Sequence, residues 1–330
     1  MKKHSLVTGG AGFMGSHVTS HLLQKGHQVV VLDDLSGGQR ENIPNGAIFQ
    51  EGSICDQQLV NTLFEKYQFE YVYHLAAYAA EGLSHFIRHF NYQNNLIGSI
   101  NLINASVHHE VKCFVFTSSI AVYGTNELPL TETQHPKPED PYGIAKYAVE
   151  MDLKTAHDLF GLNYVIFRPH NVYGPLQHIG DKYRNVIGIF MNQIVQDQPL
   201  TIFGDGEQTR AFSYIDDVAP YIADAVTIPE ARQQIFNIGN DKAHSVNQLA
   251  EAVGVAMGHT PKIKHLQQRE EVVHAYANHT KFKEIFNPKP TTPLKNGLTK
   301  MAAWAKAKGA QTSKKFTNIE ITKNLPASWK

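Results

Sequence analysis

Apolar and polar positions follow two alternating periods through the first half of the chain. Short β-branched or aromatic runs at 5–8, 28–33, 47–50, 71–75, 113–117 and 164–168 predict buried strands. Between them, helix-period spacing predicts helices over 13–25, 57–67, 92–108 and 143–160. Strands that alternate with helices imply an α/β fold whose doubly wound parallel sheet carries helices on both faces. Past residue 175 the pattern becomes irregular, with a helix over 185–196, a strand at 200–203 and further elements out to 304. That half predicts a smaller, mixed α/β substrate domain. The run 234–240 again reads as a buried strand that returns to the first sheet, so the boundary between 1–175 and 176–330 is expected to be interleaved. The polar, weakly patterned stretch 309–330 is expected to be a tail or an added edge element.

Composition narrows the function classes. The 330 residues, 42% of them hydrophobic, suffice for a sizeable core, which excludes disorder of the whole chain. Thirty basic residues balance thirty acidic ones, so no global field favours nucleic acid or an anionic membrane, and an anionic ligand must be held by local groups. Met1-Lys2-Lys3 leads directly into the first strand and no apolar stretch is long enough to span a bilayer, which predicts a soluble, cytoplasmic protein. Two cysteines, Cys55 and Cys113, cannot build a disulfide framework and are expected to be buried thiols of a reducing compartment. The 18 histidines are scattered without metal-ligand spacing, so no metal is expected.

The first strand ends in Thr8-Gly9-Gly10-Ala11-Gly12-Phe13-Met14-Gly15, just before a helix. Gly10, Gly12 and Gly15 match G-x-G-x-x-G, and Gly9, Gly12 and Gly15 match a wider spacing. Small residues there let the backbone approach a pyrophosphate while the helix N-terminus points its amides at the phosphates, in the manner of a Rossmann-type fold. The second strand ends in Asp33, whose carboxylate can accept from both hydroxyls of an adenosine ribose and would repel a 2′-phosphate, favouring NAD over NADP. The alternative is that Asp33 or Asp34 caps the turn toward Leu35-Ser36.

Tyr142 and Lys146 stand four residues apart, on one face of a predicted helix. A phenol with a pKa near 10 is a poor base at neutral pH unless a nearby cation stabilises its phenolate, and Lys146 is such a cation. The strand at 113–117 leads to Ser118-Ser119, which places a hydroxyl on the rim where parallel sheets hold ligands. Ser119 could hydrogen-bond the hydroxyl that Tyr142 deprotonates.

With these motifs the chain resembles the extended short-chain dehydrogenases, in particular the sugar-nucleotide epimerases and dehydratases, and is most similar to UDP-glucose 4-epimerases. The resemblance runs through His74-Leu75-Ala76-Ala77, Asn95-Leu96-Ile97-Gly98, Ser118 to Gly124, Tyr142 to Lys146, Arg168 to Pro175, Gly204-Asp205-Gly206 and Thr209-Arg210-Ala211-Phe212. It implies catalytic roles for Ser119, Tyr142 and Lys146. It implies cofactor contacts from Gly9, Gly12, Phe13, Met14, Gly15, Asp33, Ser53, Ile54, Leu75, Ala76, Ala77 and Asn95, besides Tyr142 and Lys146. Asn171, Arg210 and Arg269 would hold the uridine and diphosphate, where a planar guanidinium suits paired phosphate oxygens. Glu81 and Glu271 join Ser119 and Tyr142 as substrate contacts.

Three departures stand out. Ser53 replaces the family's frequent Asp near the adenine, Tyr78-Ala79-Ala80-Glu81 lacks a lysine that some epimerases carry, and Arg269-Glu270-Glu271-Val272 replaces Arg-Pro-Gly-Asp. The resemblance implies bound NAD, a UDP-sugar substrate, a homodimer, and 4-epimerisation of UDP-glucose and UDP-galactose through a 4-keto sugar. A UDP-glucuronate 4-epimerase or decarboxylase is the alternative. A 4,6-dehydratase fits less well, because Ile120-Ala121 stands where such enzymes carry an acid and base pair. An NAD-sensing binding protein would show degenerate Tyr or Lys positions, and both are intact.

Overall fold

The computed structural model describes residues 3–181, 183–268, 272–312, 316–326 and 329. Strands β1 (His4–Thr8), β2 (Gln28–Asp33), β3 (Ile48–Glu51), β4 (Tyr71–His74), β5 (Cys113–Thr117) and β6 (Tyr164–Pro169) form a parallel sheet. The remaining strands are β7 (Val172–Tyr173), β8 (Leu200–Phe203), β9 (Thr209–Ala211), β10 (Ser213–Tyr214), β11 (Gln234–Ile238), β12 (Ala243–Ser245), β13 (Ile263–Leu266) and β14 (His274–Ala275). Strand β11 pairs in parallel with β6, giving the order β11-β6-β5-β4-β1-β2-β3. The rest form small sheets, β10-β7, β12-β9-β14 and β13-β8, in the second half of the chain.

The sheet is buried on both faces, which is why its strands read as nearly continuous apolar runs. Successive residues point to opposite faces. Thus Val29, Val31, Val115 and Phe167 pack into one core, while Val30, Leu32, Phe114 and Ile166 pack into the other.

The helices are α1 (Phe13–Gln24), α2 (Gln57–Tyr67), α3 (Glu81–Ser84), α4 (Arg88–Tyr92), α5 (Gly98–His108), α6 (Pro141–Phe160), α7 (Val186–Val195), α8 (Ala219–Asp224), α9 (Val246–Met257), α10 (Thr280–Phe286) and α11 (Leu294–Lys308). The helix expected over 92–108 begins earlier. It starts at Arg88, passes through a π-turn at Gln93–Ile97 and continues as α5. Its early start is fixed from a distance: the Glu320 carboxylate accepts from the His89 and Phe90 amides, both at 2.8 Å. The sequence around residue 88 holds no cap of its own.

The described residues of 309–330 form neither a loose tail nor a strand. They lie back across the molecule, and Leu325 and Trp329 pack with Ala80, Leu83 and Ile87 in a separate apolar cluster. Cys113 is buried, with its thiol pushed up to about 12 by burial, whereas Cys55 is only half-buried and its thiol donates to the Gln93 carbonyl.

Candidate active site

A cavity of about 800 Å³ opens along the carboxyl ends of the sheet strands and continues between the two halves of the chain. The β1–α1 turn forms one end. Gly9 has a φ of +70°, and a Cβ on it would lie 2.7 Å from the Ala76 nitrogen. A Cβ on Gly15 would strike the Gly9 carbonyl, so helix and turn close up only with glycine there. Gly12 precedes α1 without a side-chain cap, which leaves first-turn amides available to an anion. Gly9, Gly12, Phe13, Met14 and Gly15 all line the cavity.

Asp33 is buried at the end of β2 and lines the same end. Its Oδ2 accepts from the Ala11 amide at 3.0 Å and its Oδ1 from the Leu35 amide at 2.9 Å. It therefore does cap the turn toward Leu35, and Asp34 does the same for Ser36. A carboxylate has about four acceptor positions, so two ribose hydroxyls can still be received. Burial raises its pKa, and the Leu35 and Ala11 amides oppose that. Gly37 and Gly38 were not singled out from the sequence, yet both line the cavity, and a Cβ on Gly38 would lie 2.8 Å from Asp33 Oδ1. The signal was present as a glycine pair directly after Asp33-Asp34-Leu35-Ser36.

Ser53, Ile54, Leu75, Ala76 and Ala77 form cavity walls. The Ser53 hydroxyl accepts from the Cys55 amide at 3.1 Å. Leu75 and Ala76 are held from behind by His74, which bonds the Thr8 hydroxyl at 2.7 Å and the Ser99 hydroxyl at 2.8 Å. Asn95 is placed differently from the other expected cofactor contacts. It is buried behind the wall, its Oδ1 accepting from the Tyr78 amide at 2.8 Å and its Nδ2 donating to the Tyr78 carbonyl at 3.1 Å. Its side chain holds the loop that faces the cavity and is spent in doing so.

The Tyr142 ring sits at the start of α6, where Asp140 caps the Gly143 amide at 2.9 Å and Pro141 opens the helix. One turn on, Lys146 points the same way. Its Nζ donates to the Thr117 carbonyl at 2.9 Å, lies 4.7 Å from the Phe116 ring centroid and 5.8 Å from that of Tyr142. Burial lowers the Lys146 pKa to about 7. Burial also pushes the Tyr142 phenol well above its ordinary range, with the Glu81 carboxylate adding to the rise and the Ser119 hydroxyl opposing it. Ser119 follows β5 and accepts from the Ala121 amide at 3.1 Å. Beneath it, Ser118 donates to Glu150, which forms a buried ion pair with Arg168.

Glu81, Asn171 and Arg210 also line the cavity. Glu81 opens α3, is exposed, and is close enough to influence Tyr142. Asn171 holds a left-handed φ of +41° while its Nδ2 donates to the Ala211 carbonyl at 3.1 Å. The Arg210 guanidinium donates to the Val272, Val273 and Thr209 carbonyls. Arg269 and Glu271 lie outside the described residues.

Two cavity residues had no local signal in the sequence. Arg184 reaches the cavity with its guanidinium 4.8 Å from the Tyr78 ring, so a cation does stand near this loop although the loop has no lysine of its own. Trp329 comes from the far end of the chain.

The sequence over residues 5–239 matches the NAD dependent epimerase/dehydratase family. The chain is 35% identical over 269 residues to a UDP-glucose 4-epimerase of Halalkalibacterium halodurans, covering 77% of this chain and 80% of that one. It superposes on the crystal structure of a Thermotoga maritima UDP-glucose 4-epimerase with UDP-glucose at a TM-score of 0.87 and 35% identity, over 92% of this chain and 99% of that one. A Bacillus cereus UDP-glucuronic acid 4-epimerase in complex with UDP-glucuronic acid and NAD superposes at 0.85 with 28% identity, over 92% and 99%. The glycine cradle that admits no Cβ, opening onto uncapped helix amides beside Asp33, is a fit for a dinucleotide pyrophosphate and ribose. With a family match over more than half of the sequence and structural likeness over nearly all of it, this chain belongs to the NAD-dependent epimerase/dehydratase family, as an enzyme whose cofactor is NAD.

Proposed function

We propose that the chain epimerises a neutral UDP-hexose at carbon 4, interconverting UDP-glucose and UDP-galactose. The observation that carries this reading is that Tyr142, Lys146 and Ser119 line the same cavity as the glycine cradle and Asp33. NAD supplies, when bound, a hydride acceptor that can return the hydride to either face of the sugar. The chain supplies the proton chemistry. Tyr142 takes the proton of the 4-hydroxyl as the hydrogen on that carbon departs with its electron pair, and gives the proton back when the carbonyl is reduced. Lys146 offsets the charge of the phenolate, and Ser119 donates to the oxygen being deprotonated. Asn171, Arg210 and Arg269 are assigned to the nucleotide and diphosphate, so the sugar can turn while its anchor stays fixed.

Glu81 supports the choice of a neutral sugar. Its carboxylate lines the cavity and already disfavours negative charge at Tyr142, so it would also repel the carboxylate of a glucuronate. A homodimer in the cytoplasm is the setting that goes with this reading, and sedimentation of the purified protein tests the dimer. The test of function is incubation with UDP-glucose, UDP-N-acetylglucosamine, UDP-glucuronate and their GDP and dTDP counterparts, followed by separation of the products. UDP-galactose formed from UDP-glucose is the expected result. Turnover of UDP-glucuronate alone would overturn the assignment.

A further inference from the structure

The described residues of the segment after α11 form a strap that reaches the cavity at Trp329, and its attachments are specific. Gln311 exchanges two hydrogen bonds with Asn192 of α7, both at 2.9 Å. The Phe316 amide donates to the Tyr183 hydroxyl at 3.1 Å, and its ring packs on Phe90 and Tyr78 at 5.0 and 5.4 Å between centroids. The Glu320 amide donates to the Phe86 carbonyl at 2.8 Å while its carboxylate caps α4. The strap thus joins the helix over 186–195 in the second half to the loop after β4 in the first.

At its far end Trp329 is 5% exposed and forms part of the cavity wall. Its ring meets those of Tyr183 and Phe86 edge-on, at 5.4 and 6.1 Å. A Cβ on Gly82 would lie 3.2 Å from the Trp329 Cη2 atom, so the indole presses on the backbone right beside Glu81. Glu81 in turn is within electrostatic reach of Tyr142, which marks where the reacting hydroxyl must lie. These neighbours place the indole at the hexose end of the cavity, away from the glycine cradle.

We propose that Trp329 is a specificity-determining residue: it closes the hexose end with an uncharged, rigid wall that fits an unsubstituted hexose and excludes a bulkier sugar. An indole offers a large apolar face to the C–H face of a pyranose and has few rotamers by which to yield. A wall of this kind discriminates by volume. The inference rests on the UDP-hexose reading given above.

The experiment uses the full chain, whose two tryptophans are Trp304 and Trp329. Trp304 lies in α11 and packs on the large core, so Trp304→Phe leaves Trp329 as the sole indole reporter. In that variant UDP-glucose is expected to change the emission, whereas UDP alone, which lacks the hexose, is expected to leave it nearly unchanged. Calorimetry on the same samples establishes that both ligands bind. Binding of UDP-glucose with no change in emission, or equal changes with UDP and UDP-glucose, overturns the inference and leaves the proposed function standing. Absence of UDP-glucose binding overturns the proposed function and takes the inference with it. In a second arm, Trp329→Ala and Trp329→Leu are compared with the wild type on UDP-glucose and UDP-N-acetylglucosamine. The ratio of kcat/KM is expected to move toward the N-acetylated sugar by about tenfold, a size typical of discrimination by pocket volume. An unchanged ratio in variants that melt cooperatively refutes a selective role.

Discussion

In the proposed mechanism Lys146 is the cation that makes Tyr142 usable as a base, and its distance sets the size of the expected effect. The Nζ lies 5.8 Å from the Tyr142 ring centroid. At an effective dielectric constant of about 20, a unit charge there stabilises a phenolate by about 3 kcal/mol, or roughly two pKa units. The coupling is reciprocal. Burial, opposed by the Glu150 carboxylate, holds Lys146 down to about 7, and a phenolate beside it raises its proton affinity by the same amount, so ionised Tyr142 and protonated Lys146 occur together. Lys146→Met keeps an apolar stem and deletes the charge. The acidic limb of kcat/KM is expected to move up by about two pH units, so that the rate near pH 7 falls about 100-fold and recovers as the pH rises. The assay is steady-state epimerisation of UDP-glucose from about pH 6 to pH 10. A uniform loss of rate with an unmoved midpoint would refute an electrostatic role for Lys146. A second readout needs no substrate. The folded pKa of Lys146 lies below its unfolded value of about 10.5, so between about 7 and 10.5 the unfolded chain binds more protons and stability rises with pH. Cofactor-free Lys146→Met lacks this cost and is expected to melt higher than the wild type at neutral pH, with the gap closing toward pH 10.

Tyr142→Phe removes the proton acceptor and keeps the ring, so turnover is expected to fall by about 10² to 10⁴ while UDP binding by calorimetry survives; near wild-type rates would exclude Tyr142 as the base. Wild-type protein denatured after purification is expected to release NAD in preference to NADP. Asp33→Ala, which also strips an acceptor from the Ala11 and Leu35 amides, is expected to retain less of it on gel filtration. Glu81→Gln removes the charge that raises the Tyr142 pKa, so its acidic limb is expected to move down, opposite to Lys146→Met, and the preference for UDP-glucose over UDP-glucuronate to shrink. An unchanged ratio would confine Glu81 to a structural role. Glu150→Ala leaves Arg168, 2% exposed, without its ion-pair partner, and is expected to cost about 3–5 kcal/mol in urea denaturation; a loss under about 1 kcal/mol would contradict the burial of that charge.

The parts of the site that the sequence displays are those built from neighbours in the chain. Gly9 to Gly15 adjoin a strand and a helix, Asp33 closes a strand, and Tyr142 and Lys146 share one turn of α6, so strand and helix periodicity alone puts each on its proper edge. Asp33 also shows the limit of that reading. A carboxylate after a strand can serve a ribose or a turn, and only the coordinates show its two oxygens engaged by the Ala11 and Leu35 amides with acceptor capacity to spare.

Asn95 is a sharper case. Its motif is visible in the chain, but the side chain turns to the Tyr78 backbone, 17 residues away, because the amide and carbonyl of a half-buried loop still need a partner. The start of α4 at Arg88 depends on Glu320, 231 residues from His89, so no window of local sequence contains the cap. The weak apolar pattern of 309–330 has the same origin. Its buried residues among those described, Leu325 and Trp329, are spaced to meet a loop and an irregular wall, and neither surface imposes a period on the chain. Alternation and turn chemistry thus determined the sheet, its helices and the dinucleotide end, because regular hydrogen bonding repeats along the backbone. Tertiary structure alone decided that Trp329 and Arg184 line the same cavity as the glycine cradle, because proximity between distant segments is set by packing and leaves no periodic trace in sequence.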